Sequence, residues 1–240
     1  MTAVARSGEA RGATPVGQVG EVGRGPLSRG AAWVYRFAVL EVLLVLACLP
    51  GLVVALLLDR HPSNLPLAVF ALAPVGPALV AGVAASAAWR RDDDLSPARP
   101  FVRAYLRDVR ATLLWWLPTV LLLAVLTFNL VHLDAVDGGA ALLPALLLVT
   151  AAVAVWSGHM VVLTASFHLR TRDAARIAVA ALVPQWRLSL GVLSLLVVAG
   201  AVLLWSEVAL LLLAWAFVAL LAVMARPLVA HVTERYTRHD

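Results

Sequence analysis

"LSLGVLSLLVVAGAVLLWSEVALLLLAWAFVALLAVMA", residues 188–225, is an almost unbroken apolar run. As one α-helix it would be roughly 57 Å long, far more than the ~30 Å hydrocarbon core of a bilayer. It therefore has to turn, and Trp205-Ser206-Glu207 is the polar point at which it can do so. That reading makes two membrane spans, 188–205 and 208–226. The rest of the chain follows the same rule of about 20 helical residues per crossing, with further spans at 37–58, 65–89, 112–132 and 141–165. The expected fold class is all-α: a polytopic membrane bundle of six helices.

Composition agrees. Hydrophobic residues make up 62% of the 240 residues and charged residues 14%, against about 45–50% and 25% in soluble domains. One soluble core cannot hide so much apolar surface, so the surplus faces lipid. All 19 basic residues are arginine, a bias expected of a GC-rich bacterial genome. The net charge of +5 does not point to nucleic acid, because the arginines lie between apolar spans and not on one soluble face. Cys48 is the single cysteine, which excludes an internal disulfide framework. "VLAC" ending at Cys48 loosely resembles a lipoprotein cleavage site, but more than thirty residues precede it and Glu41 interrupts its apolar run. No cleavage is expected.

Arginine placement sets the orientation. Five arginines precede the first span, six lie in 90–111, four in 166–187 and three follow the last span, whereas the alternate connections carry only Arg60. By the positive-inside rule both termini are cytoplasmic, which places the protein in the bacterial cytoplasmic membrane. Trp33, Trp89, Trp115, Trp116 and Trp186 fall near the inner boundaries and Trp205 near the outer one, as interfacial indoles do. Trp215 falls mid-span and reads as a packing residue. Residues 1–30 read as a disordered tail and 231–240 as a second cytoplasmic tail. Gly17, Gly20, Gly23 and Gly25 have no strand before them and no packed helix after them, so they do not make a dinucleotide loop.

Both long inner loops predict amphipathic helices. Ser96 is placed to cap the first, with Pro97 at its first position. Arg99, Arg103 and Arg107 then recur every four residues, followed by Arg110, beside a second series that includes Phe101 and Tyr105. Such a helix meets either lipid phosphates or a cytoplasmic partner. Asp92, Asp93 and Asp94 form a solvated turn, since consecutive acids do not converge into an oxygen cage. In the second loop, Thr171 is placed as a cap, Asp173 in the first turn and Pro184 at the end. Asp173-Ala174-Ala175 loosely matches the triplet with which ABC permeases grip their ATPase, although the glycine that should follow is missing until Gly191.

Polar groups within spans are candidates for function. Glu41 reads as a snorkelling or locally paired carboxylate. His159 has no second histidine at helical spacing and reads as a hydrogen-bonded packing residue. Asn129 and Thr127 suggest interhelical hydrogen bonds. In "FALAPVGPALVAG", residues 70–82, Pro74, Gly76 and Pro77 predict a kink or hinge, followed by small residues that allow close helix packing. No Ser/His/Asp set, metal-ligand spacing or nucleotide loop occurs, so the chain is expected to be non-enzymatic and without cofactor.

The sequence resembles the YesL-like bacterial membrane proteins, a family of unknown function. The likeness rests on Leu49-Pro50, on Gly76-Pro77-Ala78, on Phe101 with Tyr105, and on "LRTRDAARIAVAALVP". It covers residues 31–230. Two features depart from the family pattern: a longer interval between the first two motifs, and Glu41 where a neutral polar residue is usual. The resemblance implies an accessory role in carbohydrate uptake through an ABC transporter, with the permease or ATPase subunits as partners beside the lipid bilayer. A permease subunit is the alternative, and a membrane oxidoreductase ranks last because no nucleotide fingerprint or haem-ligand pair is present. Few midplane polar groups are available to replace a sugar's lost hydration, which favours the accessory role.

Overall fold

The computed structural model describes residues 26–59, 61, 64–90, 96–135 and 138–236. Among these every regular element is helical, the form in which an apolar segment satisfies its own backbone in lipid. The helices are α1 (Pro26–Leu57), α2 (Leu65–Phe70), α3 (Val75–Ala88), α4 (Ala98–Val131), α5 (Leu143–Ser166), α6 (Thr171–Ala181), α7 (Trp186–Trp205), α8 (Glu207–Leu212), α9 (Ala214–Met224) and α10 (Arg226–Tyr236). Six stretches are long and apolar enough to cross a membrane: Gly30–Leu57, Leu67–Ala88, Ala98–Val131, Gly139–Ser166, Trp186–Trp205 and Ala214–Glu234. Residues 1–35 and 36–240 are separate compact units; of the first, the structure describes only the opening turns of α1.

Within residues 36–240, α3 is the central helix and packs on α4, α5 and α9. It buries Gly76, Pro77, Ala78, Val80, Ala81, Gly82, Val83, Ala85 and Ser86. Their small size lets neighbouring backbones come close. A Cβ on Gly82 would stand 2.9 Å from Val218 Cγ1 of α9, so only glycine fits that crossing. The outer surface is apolar, with Leu204 91% and Trp205 83% exposed, as expected of a surface solvated by hydrocarbon.

The first inner-loop helix runs on into the third span as one helix, α4, as its residue pattern predicts, because Phe101, Ala104, Asp108, Thr112 and Trp115 continue a single buried stripe with no breaker between them. Several other boundaries differ from the sequence reading. The cap position of α4 is Pro97, with no side-chain cap bond, and not Ser96. The first span's helix starts at Pro26, inside the stretch read as a tail; residues 1–25 lie outside the described residues. The stretch read as a C-terminal tail is helical to Tyr236. Trp89, Trp115 and Trp116 are buried packing residues, not interfacial anchors. Trp33, Trp186 and Trp205 are exposed.

The turn at Ser206 stands where the length argument puts it. Ser206 is extended (φ −164°, ψ 119°) and its side chain accepts from the Ala209 N–H, so it both ends α7 and caps α8. Beyond it the sixth span has a second break, at Leu213 (φ −105°, ψ 1°), which the sequence does not mark.

Candidate functional site

The arginine face of α4 lines a cavity. Trp89, after the last turn of α3, donates its indole N–H to the Pro97 carbonyl (3.2 Å), and Arg36 Nη1 donates to the Trp89 carbonyl (3.5 Å). These bonds fix the end of α3 against the start of α4. Helical spacing then brings Arg99, Arg103 and Arg107 onto one face. Across from them stand Arg90, His168 after α5, and Arg226 at the head of α10. The cavity measures about 640 Å³, and its remaining wall is mostly alanine and valine, including Ala84, Ala88, Ala222 and Val229, with Ser166 at the end of α5.

The arginines are not equivalent. Arg107 Nε and Nη2 donate to Asp108 Oδ1 and Oδ2 at 2.9 and 2.7 Å, so Arg107 is committed to a buried carboxylate. Arg99, Arg103 and Arg226 are exposed, and among the described residues no hydrogen bond or ion pair involves their guanidinium groups. Like charges around a shared concavity with apolar walls focus a positive potential. Arg110 is exposed and does not line the cavity. Asp92, Asp93 and Asp94 lie outside the described residues.

Two further residues read as surface contacts are placed differently. Phe101 is 3% exposed and belongs to the core, and half-buried Tyr105 stacks on it at 6.2 Å between ring centroids. Phe101 lies on the buried stripe of α4 and is not available to lipid or to a partner, whereas Tyr105 keeps part of its ring accessible.

The second inner loop forms a separate helix. α6 buries Ala174, Ala178 and Ala181, and the indole N–H of Trp156 donates to the Ala175 carbonyl (3.4 Å). Its other face presents exposed Arg172, Arg176 and Val179, and Val183 beyond its end is 82% exposed. The cap position is Arg170 in extended conformation, so Thr171 is the first helical residue and not the cap.

The intramembrane polar groups hold helices together. Glu41 Oε2 accepts the Trp215 N–H at 2.8 Å, which is the amide freed by the break at Leu213. His159 is fully buried; its Nδ1 lies 3.1 Å from the Val155 carbonyl and its Nε2 3.4 Å from Ser189 Oγ, which also donates to the Leu182 carbonyl at 2.8 Å. That chain ties α5 to α7. Asn129 is exposed, and among the described residues its side chain makes no hydrogen bond. Thr127 bonds back to the Leu123 carbonyl of its own helix (2.7 Å). The interhelical bonds expected of this pair are therefore absent among the described residues, because a threonine hydroxyl is satisfied within its own turn.

Pro74 is the cap position of α3, with Gly76 and Pro77 buried in its first turn. A Cβ on Gly76 would lie 2.5 Å from Trp116 Cγ. The glycine lets the indole lie over the break, where its N–H donates to the Leu72 carbonyl at 3.0 Å.

Among the described residues no group of three His, Cys, Asp or Glu side chains is placed to hold a metal. Arg90, His168 and Arg226 were not legible as site residues, since each sits at a different span end with no periodicity linking it to the others. Compared with known proteins, the chain matches no family model, no curated protein and no solved structure.

Proposed function

We propose that this protein is a non-catalytic accessory component of a bacterial cytoplasmic membrane, with both termini inside, which docks a partner at its arginine-rich end. The process is the one that the YesL-like resemblance implies: carbohydrate uptake through an ABC transporter, with a permease or ATPase subunit as the partner. The observation that carries the reading is α6, a short helix held to the bundle by an alanine-rich face and the Trp156 bond while its arginines and Val179 face outward. That is the build of a peripheral docking element. Further support comes from the spans, where Glu41 bonds to the Trp215 amide of α9 and His159 to Ser189 of α7.

A permease subunit is the second reading. It is favoured by the two interrupted spans, since broken helices line pathways in many transporters.

The test is purification from native membranes in mild detergent, with mass spectrometry of stoichiometric partners. Co-purification of an ABC permease or ATPase supports docking, and the double substitution Arg172→Ala/Arg176→Ala is then expected to release it. If the chain emerges alone, docking fails and flux in proteoliposomes tests the permease. Reporter fusions at Asp59 and Thr171 check orientation: Asp59 outside and Thr171 inside are expected.

A further inference from the structure

We propose that the basic cavity between α3, α4 and the α9–α10 junction binds a single phosphate-bearing amphiphile. The anionic head would be held by Arg99, Arg103 and Arg226, and the hydrocarbon would lie on the alanine wall. The assignment stands apart from docking through α6 and does not depend on it.

Three observations carry it. First, Arg99, Arg103 and Arg226 come from two helices and surround one void, and among the described residues they have no carboxylate partner, whereas neighbouring Arg107 does. Guanidinium groups present paired N–H donors that match phosphate oxygens. Second, the volume of about 640 Å³ exceeds what a bare phosphate occupies and lies within the range of organic-ligand sites. Third, beside the arginines the cavity has an apolar face: Ala84, Ala88, Ala222 and Val229 offer no hydrogen bond to a sugar or nucleobase, while Ser166 and His168 line it at the end of α5. A polar metabolite would leave its hydroxyls unpaired there. An acyl or prenyl chain loses nothing.

The cavity also differs from a general basic surface. A surface attracts many headgroups weakly and in proportion to its charge, whereas a walled cavity holds one. The full-length chain, delipidated in detergent, would be titrated with dioleoyl phosphatidic acid, with dioleoyl phosphatidylcholine and with inorganic phosphate. Native mass spectrometry would count the bound molecules.

The expected result is one phosphatidic acid per chain, saturable, not displaced by inorganic phosphate and not matched by phosphatidylcholine. Arg99→Gln/Arg103→Gln should weaken it roughly tenfold or more. Arg99→Lys/Arg103→Lys, which keeps the charge but loses the paired donors, should weaken it roughly threefold, less than the glutamine pair does. The control pair Arg172→Gln/Arg176→Gln, outside the cavity, should stay within roughly twofold. Equal losses from both glutamine pairs would overturn the proposal in favour of diffuse surface charge. Displacement by inorganic phosphate would overturn it in favour of a soluble ligand, and equal binding of phosphatidylcholine would remove the anion requirement. All three variants must elute as the parent does; if the Arg99→Gln/Arg103→Gln pair fails to, Arg226→Gln carries the same comparison.

Discussion

The second and sixth spans are both broken, and they are broken in opposite ways. Between α2 and α3 the interruption at residues 71–74 tightens the backbone, so that the Leu72 carbonyl accepts the Val75 N–H at 3.0 Å, and an indole N–H from α4 adds a second bond: Trp116 to Leu72, 3.0 Å. Between α8 and α9 the interruption at Leu213 frees an amide, and a carboxylate from α1 meets it: Glu41 to Trp215, 2.8 Å. In a continuous helix the Trp215 amide would bond four residues back, to Leu211. One break thus takes an additional donor from its neighbour and the other its missing acceptor. The Trp215 amide depends on that one side chain from another span, because hydrocarbon offers it no water. At Leu213 the helix is interrupted where the bundle supplies the missing bond, although its own sequence contains no breaker.

Substitutions test that symmetry. The largest effect is expected at Gly76→Val, which drives methyl groups into the Trp116 ring and displaces the indole from Leu72. Overpacking of this kind costs about 1–3 kcal/mol, to which the lost bond adds about 1 kcal/mol. The thermal midpoint of the detergent-solubilised protein should fall most in this variant. Next is Glu41→Leu, which leaves the Trp215 amide without an acceptor, a penalty of about 1–3 kcal/mol. Removing a carboxylate whose Oε1 is buried without a partner offsets part of that penalty. Glu41→Gln keeps an acceptor oxygen and should stay within about 0.5 kcal/mol of the parent. If Leu and Gln behave alike, the carboxylate does not hold the break. Trp116→Phe keeps most of the packing and removes the donor. Its expected cost is about 1 kcal/mol, smaller because the Leu72 carbonyl keeps its bond from the Val75 N–H.

How far these features were legible follows the same physics. The six-span count and the Ser206 turn come from length and hydropathy, which the bilayer thickness fixes. The break in the second span is announced by Pro74, Gly76 and Pro77. The break at Leu213 is announced by nothing local: "EVALLLLAWAF" is good helix throughout, and its cause lies in Glu41, far away in sequence. Glu41 itself was visible as an anomaly, but its partner was not, because the partner is a backbone amide with no residue signature. The basic cavity divides likewise. Arg99, Arg103 and Arg107 share a helical period and could be read together. Arg226 and His168 join them only through the packing of α5, α9 and α10 around α3. Pattern also gave all three α4 arginines one role, while the structure commits Arg107 to Asp108, itself 7% exposed.

The smallest effect is expected at the most conspicuous residue. Pro77 looks like the element that breaks the second span, yet it is the third residue of α3, whose cap is Pro74. Amides in the first turn have no intrahelical acceptor: the Val75 N–H bonds back to the Leu72 carbonyl at 3.0 Å, and the bond to the cap residue comes from the Ala78 N–H to the Pro74 carbonyl, 3.2 Å. Proline at position 77 therefore forfeits no bond within α3. Pro77→Ala changes mainly the freedom of the unfolded chain, less than about 1 kcal/mol. A drop in thermal midpoint as large as that of Gly76→Val would mean that proline stiffness, and not the Trp116 bond, sets the break. A change near zero, with Trp116→Phe clearly destabilised, assigns the break to the bond from α4 and leaves Pro77 as a residue the helix start merely accommodates.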